Sequence, residues 1–261
     1  MGLEILITND DGYTAKGINV LTKILAGYGN VTVVAPRDGQ SGMASALTLD
    51  KPLRLQKTSE TEEYKGNLIN RYSLTGTPAD CVKMAMHKFF KESKPDLLVS
   101  GINHGANTSA GSVYSGTLGA CMEGTLYGIH SIGFSLDSHD SNADFTAIED
   151  FIRTVLNHYL THPAGTGIFL NVNFPYCPAD KIKGIKFASQ GNGLWIKEFS
   201  DRTDPRGNEY YWMSGEFLDT DTSASGDHRL LSHRFITIVP HQVNTTDYQE
   251  LARLAEAWKL Q

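Results

Sequence analysis

The stretch LEILITNDDG, residues 3–12, is a short apolar run that stops on two carboxylates and a glycine. Val31 to Ala35 (VTVVA) is a second apolar, β-branched run. Between them Ile18, Leu21, Leu25 and Tyr28 recur at roughly helical spacing, so the first 35 residues read as β-α-β. The same alternation continues outward. Pro78 opens a helix through Val82, Met86 and Phe89, and DLLVS (96–100) follows as a nearly all-apolar strand. A helix over 116–127, a strand SIGFSL (131–136), a helix across 145–159 and a strand IFLNVNF (168–174) complete the series. Apolar strands separated by amphipathic helices build a parallel sheet covered on both faces. The fold class read from this pattern is α/β, a doubly wound, mostly parallel sheet.

Two stretches break the rhythm. Residues 53–74 (LRLQKTSETEEYKGNLINRYSL) alternate around a polar centre and read as a peripheral hairpin. From about 191 to 235 the chain is rich in Gly, Asp, Ser and aromatics, and such a segment buries little by itself. It reads as an extended arm, either a flap over the site or an element packed on another subunit. The tail, about 245–260, carries a cap signal at Thr245/Thr246 and apolar positions Tyr248, Leu251, Leu254, Ala255 and Trp258, the pattern of a closing amphipathic helix. The expected organisation is a single domain over 1–261 with its core in about 1–190.

Composition excludes partners more than it names them. With 23 Lys+Arg against 29 Asp+Glu the formal charge is −6, which argues against a stable nucleic-acid partner, since phosphate neutralisation needs a cationic field. No apolar run approaches the ~18 residues of a membrane span. MGLEILITNDDG lacks the basic and apolar regions of a secretory signal. The 3 cysteines, Cys81, Cys121 and Cys177, are widely spaced and read as free thiols. These features together place the expectation in the cytoplasm.

In an open parallel sheet, ligands bind where the loops beyond the strand carboxyl ends converge. Thr8 to Gly12, Pro36 to Gly42 and Gly101 to Asn107 are those loops, all rich in oxygen-bearing side chains and glycine and poor in zinc ligands. Gly12 lets the backbone turn so that Asp10 and Asp11 can face one pole. Two carboxylates in a crevice repel, and a hard divalent cation, Mg²⁺ or Mn²⁺, neutralises them; the Ser41 hydroxyl and the Asn103 amide oxygen complete an oxygen shell. Further on, Ser115-Gly116-Thr117 precedes a helix. It serves either as an ordinary N-cap or as an anion site for phosphate.

At these residues the sequence resembles a known family. TNDDG, APRDGQSG, TGTPADCV, SGINHGAN and YSGT occur in the order and spacing of the SurE family of survival-protein nucleotidases, and RTDPRGNEYYW (202–212) with Thr220-Asp221 is similar to its C-terminal region. The resemblance implies a Rossmann-like fold with an extended, subunit-exchanging arm, a homodimer or homotetramer, one divalent cation per subunit, and hydrolysis of nucleoside monophosphates. It assigns the metal ligands to Asp10, Asp11, Ser41 and Asn103, and the substrate phosphate to Asn107, Ser115, Gly116 and Thr117. Many members carry Gly and Asp where this chain has Ser109 and Gly111, which bears on substrate preference or on contacts around the metal.

The expected reaction is in-line attack of an activated water on phosphorus. Asp10 orients or deprotonates that water, Asn9, Asn107, Ser115 and Thr117 donate to the phosphate, and His104 is a weaker candidate for the leaving-group acid. An aspartyl-phosphate mechanism fits poorly, because the nucleophile position would be Asn9 and an amide forms no acyl phosphate. A dinucleotide dehydrogenase lacks its G-x-G-x-x-G after the first strand. A nucleotide-binding regulator without turnover is the alternative.

Overall fold

A computed structural model describes residues 2–258. Residues 1 and 259–261, which the single-domain and tail-helix expectations include, lie outside the described residues.

The chain opens β1 (Leu3–Thr8), α1 (Lys16–Leu25) and β2 (Gly29–Pro36), with β1 and β2 parallel. Then come β3 (Leu55–Lys57), β4 (Glu62–Tyr64), β5 (Asn67–Leu74) and α2 (Pro78–Lys88). β3 and β4 pair antiparallel with β5, so the hairpin is present. Its long strand is nevertheless not peripheral, because β5 lies parallel to β2 over six register pairs, Val31↔Ile69 through Pro36↔Leu74. Next follow β6 (Leu97–His104), α3 (Gly111–Tyr114), α4 (Gly116–Leu126), β7 (His130–Leu136), α5 (Glu149–Thr161) and β8 (Ile168–Phe174).

The sheet order β3-β5-β2-β1-β6-β7-β8 reverses direction between β1 and β6, and that switch point opens the crevice. The order continues through β14 (Ile236–Gln242) to β9 (Ile185–Phe187), with β14 antiparallel to β8.

Side chains of the central strands alternate between two buried faces. Ile5 and Ile7 pack with α1 and α5, through Ile18, Leu21, Ile152 and Leu156. Leu6 and Leu98 face α2 and α4, through Val82, Met86, Leu118 and Cys121. Burial on both faces is why these strands read as continuous apolar runs. A capping box starts α2: Thr77 accepts from Asp80 N–H, and the Asp80 carboxylate accepts from Thr77 N–H at 2.9 Å.

The arm contains two antiparallel ribbons. β10 (Gly193–Ile196) pairs with β13 (Glu216–Asp219), and β11 (Phe199–Thr203) pairs with β12 (Glu209–Met213). It rejoins the body at α6 (Asp227–Ser232). The tail helix α7 (Tyr248–Trp258) departs from expectation in two respects. Its first-turn acceptor is Asp247, whose carboxylate receives the Gln249 and Glu250 N–H groups, and not Thr245 or Thr246. It closes no core on its own chain, since none of its residues is buried and Tyr248, Leu251 and Trp258 stand exposed.

Candidate active site

Asp10 follows β1 directly and is buried at 4% exposure, while Asp11 is half-buried. Gly12 turns the chain at φ +103°, a conformation that glycine adopts without steric cost. Under the turn, Asn9 is wholly buried and its Nδ2 donates to Gly12 O at 2.9 Å. One hydrogen of the Asn9 amide thus braces the turn that presents the aspartates, while its Oδ1 is buried without a hydrogen-bond partner.

Asp10 meets the start of α4. The Thr117 hydroxyl donates to Asp10 Oδ1 at 2.5 Å, so it is engaged by the carboxylate and not left free for phosphate. Ser115 is the helix cap, its Oγ accepting from Leu118 N–H at 3.2 Å. Gly116 sits against Asp10, where an added Cβ would come within 2.8 Å of the Asp10 Cβ. The first N–H groups of α4, that of Gly116 foremost, have no intrahelical acceptor and open beside the carboxylate.

Burial pushes the Asp10 carboxyl up to about 6; the Asp11 charge adds to this and the Thr117 bond opposes it. Asp11 is raised as well, mainly by burial, against the His104 N–H that donates to its Oδ2 at 3.0 Å and the nearby His104 and His139 imidazoles. None of the ion pairs among the described residues includes Asp10 or Asp11. A buried and a half-buried carboxylate without a cationic partner form an electrostatically incomplete pair.

Asn103 lies at the end of β6, past a register shift in the β6–β7 ladder and a cis peptide at Gly101–Ile102. Its Nδ2 donates to Gly105 O at 2.8 Å, which leaves Oδ1 as the free end of the amide. Ser41 lies on an exposed turn, carried by a loop that reaches the crevice where Gln40 N–H donates to Asp10 O at 2.7 Å. Among the described residues no three His, Cys, Asp or Glu side chains gather as a metal cluster. Asp10, Asp11, Ser41 and Asn103 carry oxygen donors, two carboxylates and two neutral groups, the donor type that hard divalent cations take.

Asn107 is fixed by a buried amide ladder. Its N–H donates to Asn173 Oδ1 at 2.7 Å, its O accepts from Asn171 Nδ2 at 2.8 Å, and its Nδ2 donates to Ser135 Oγ at 2.8 Å. The alternating N-V-N of β8 supplies this ladder from one face of the strand. The His104 ring sets Nδ1 on Asp140 O at 3.0 Å and packs edge-to-face with Phe145.

Sequence reading missed two neighbours. His139 packs against Gly105, where an added Cβ would come within 2.6 Å of its ring. Asp227, wholly buried, accepts from the N–H groups of Ser109 (3.1 Å), Gly191 (2.9 Å) and His228 (2.7 Å). The arm's root is thus tied to the loop that carries Asn107. Ser109 holds φ +50° there, so the family's glycine position is kept as a left-handed residue with its hydroxyl on Asp227 at 3.3 Å. A lone loop residue such as His139, or one that opens a short helix such as Asp227, carries no periodicity that would have marked it.

Fold and crevice together define a doubly wound α/β protein with paired aspartates at its switch point. The family model of Survival protein SurE matches residues 5–197, and the chain belongs to that family. It is 43% identical over 256 residues to the 5'-nucleotidase SurE of Christiangramia forsetii, covering 98% of this chain and 96% of that protein. To the 5'-nucleotidase SurE of Cytophaga hutchinsonii it is 41% identical over 255 residues, again 98% and 96%. The crystal structure of the SurE protein from Aquifex aeolicus superposes with a TM-score of 0.80 at 32% identity, over 97% of this chain and 99% of that one.

Proposed function

We propose that the crevice hydrolyses nucleoside monophosphates to nucleoside and inorganic phosphate, with one divalent cation per subunit, Mg²⁺ or Mn²⁺, held by Asp10, Asp11, Ser41 and Asn103. The observation that carries the reading is the buried Asp10 with the half-buried Asp11, without a cationic partner among the described residues, beside the first turn of α4. The relatives named 5'-nucleotidase support the same reaction. When bound, the cation supplies charge neutralisation to the phosphate and acidifies water.

The chain's own residues do the rest. Asp10, steered by Thr117, orients the attacking water and takes its proton. The Gly116 N–H and the second hydrogen of Asn107 Nδ2 receive phosphate oxygens as charge builds on them. The water oxygen bonds to phosphorus, the ester P–O bond breaks, and the departing oxygen leaves as the nucleoside hydroxyl after taking up a proton. Asp10→Asn is expected to fold and to release no phosphate from a nucleoside monophosphate; wild-type turnover in that variant contradicts the assignment.

The exposed Phe199, Tyr211, Trp212 and Met213 of the arm, with the uncovered face of α7, support assembly as a homodimer or homotetramer. No helix among the described residues is long and apolar enough to cross a membrane. The free thiols, with Cys81 and Cys121 buried, support a cytoplasmic location.

A further inference from the structure

Behind the Arg37–Gln40 loop, at the carboxyl ends of β2 and β5, lies a cleft of about 480 Å³. Arg37, Lys51 and Arg54 line it, with Asp38 as its only acidic side chain. Three cations against one anion run counter to the formal charge of −6 for the whole chain. Two of the three are pinned to consecutive residues of one strand end. Arg37 N–H donates to Leu74 O at 2.8 Å, while Arg54 N–H donates to Thr75 Oγ1 at 2.8 Å and Arg54 O accepts from Thr75 N–H at 3.1 Å. Asp38 is already paired with Arg37 at 3.1 Å, and no ion pair among the described residues engages Lys51 or Arg54. The buried carboxylate of Asp80, behind this wall, accepts from the Thr48 and Thr77 N–H groups.

The cleft adjoins the crevice. Gln40 lines it, and the Gln40 N–H donates to Asp10 O at 2.7 Å, so one loop's thickness separates the two. A guanidinium presents a planar fork to phosphate oxygens and a lysine adds a point charge. The volume is that of a small-molecule site.

We propose that this cleft holds a second phosphate of the substrate, so that the favoured substrate class is a nucleoside phosphorylated at two positions. The inference rests on the nucleotidase reading and adds to it which monoesters are preferred. Lys51 and Arg54 supply the free charge, and Arg37, partly neutralised by Asp38, closes the side nearest the metal loop.

The test compares adenosine 5'-monophosphate with adenosine 3',5'-bisphosphate as substrates of the full chain, in wild type, Lys51→Gln, Arg54→Gln and the double variant. One charge-assisted contact is worth about tenfold in affinity, so KM for the bisphosphate is expected about tenfold below that for the monophosphate. The advantage shrinks in each single variant, disappears in the double variant and falls with added salt, while turnover of the monophosphate is unchanged. Equal KM values in wild type, or a preference that survives the double substitution, overturn the proposal. Calorimetric binding of the same two ligands reads the cleft without turnover. A protein that hydrolyses neither ligand therefore defeats the nucleotidase reading, while the ratio of affinities still decides this one.

Discussion

Thr117 donates its hydroxyl to Asp10 Oδ1 at 2.5 Å, tying the first turn of α4 to the carboxylate that ends β1. The bond holds the Asp10 carboxyl lower than burial alone would. Thr117→Val removes the donor at nearly constant volume and leaves a buried oxygen unpaired, at a cost of about 1–3 kcal/mol. The Asp10 carboxyl then rises above its value of about 6. The acid limb of the pH–rate profile is expected to move to higher pH in the variant, with the alkaline limb unmoved. An unshifted acid limb would show that Asp10 is not the titrating base.

Metal-free protein is expected to become less stable as the pH rises through 6. Asp10 has a carboxyl raised in the fold from 3.8 to about 6, so its contribution is fully present below 3.8 and is lost as the pH climbs past about 6. That difference corresponds to about 3 kcal/mol between pH 4 and pH 8. Thermal unfolding of chelated wild type and of Asp10→Asn over that range measures it. The variant should lack this part of the slope, and added divalent cation should flatten the wild-type curve, since cation and proton compete for the same oxygens.

Asp227 should prove to be the residue through which the arm supports the site. An amide there keeps one acceptor and turns donors toward the N–H groups of Ser109, Gly191 and His228, all of which now end on carboxylate oxygen. Asp227→Asn is expected to lower Tm by about 5 °C. KM for a nucleoside monophosphate should rise more than kcat falls, because Asn107 lies two residues before Ser109. Ser109→Gly should leave Tm within about 2 °C, since glycine takes the left-handed φ without strain and loses only one hydroxyl bond.

Assembly should depend on the arm. Trp212, on β12, stands 65% exposed, more than a surface aromatic on a two-stranded ribbon can sustain without a partner. Trp212→Asp is expected to shift the protein toward a smaller species in sedimentation, and an unchanged mass excludes that face from the interface.

The central strands were legible because both of their faces are buried, so LEILIT, DLLVS and IFLNVNF declare themselves as runs and their loops follow. Asp10, Asp11, Asn103 and the α4 turn were legible for the same reason: each sits at the end of such a run or opens the helix after one. β5 was read only as half of a hairpin, since its outer position leaves NLINRYSL alternating rather than continuously apolar. That Asn9 braces the Gly12 turn was not legible, because a loop amide that does so and one that meets a ligand have the same local sequence. Asp227 and His139 reach the site through long-range contacts that no spacing encodes, and the uncovered face of α7 looks in sequence like a face that closes on its own core.

The most direct measurement is phosphate release from nucleoside monophosphates by purified protein stripped with chelator and then resupplied with Mg²⁺ or Mn²⁺. The account requires no release after stripping, recovery on addition of either cation or both, and no recovery in Asp10→Asn at any cation concentration. Undiminished release from the stripped protein, or cation-restored release from Asp10→Asn, would contradict it.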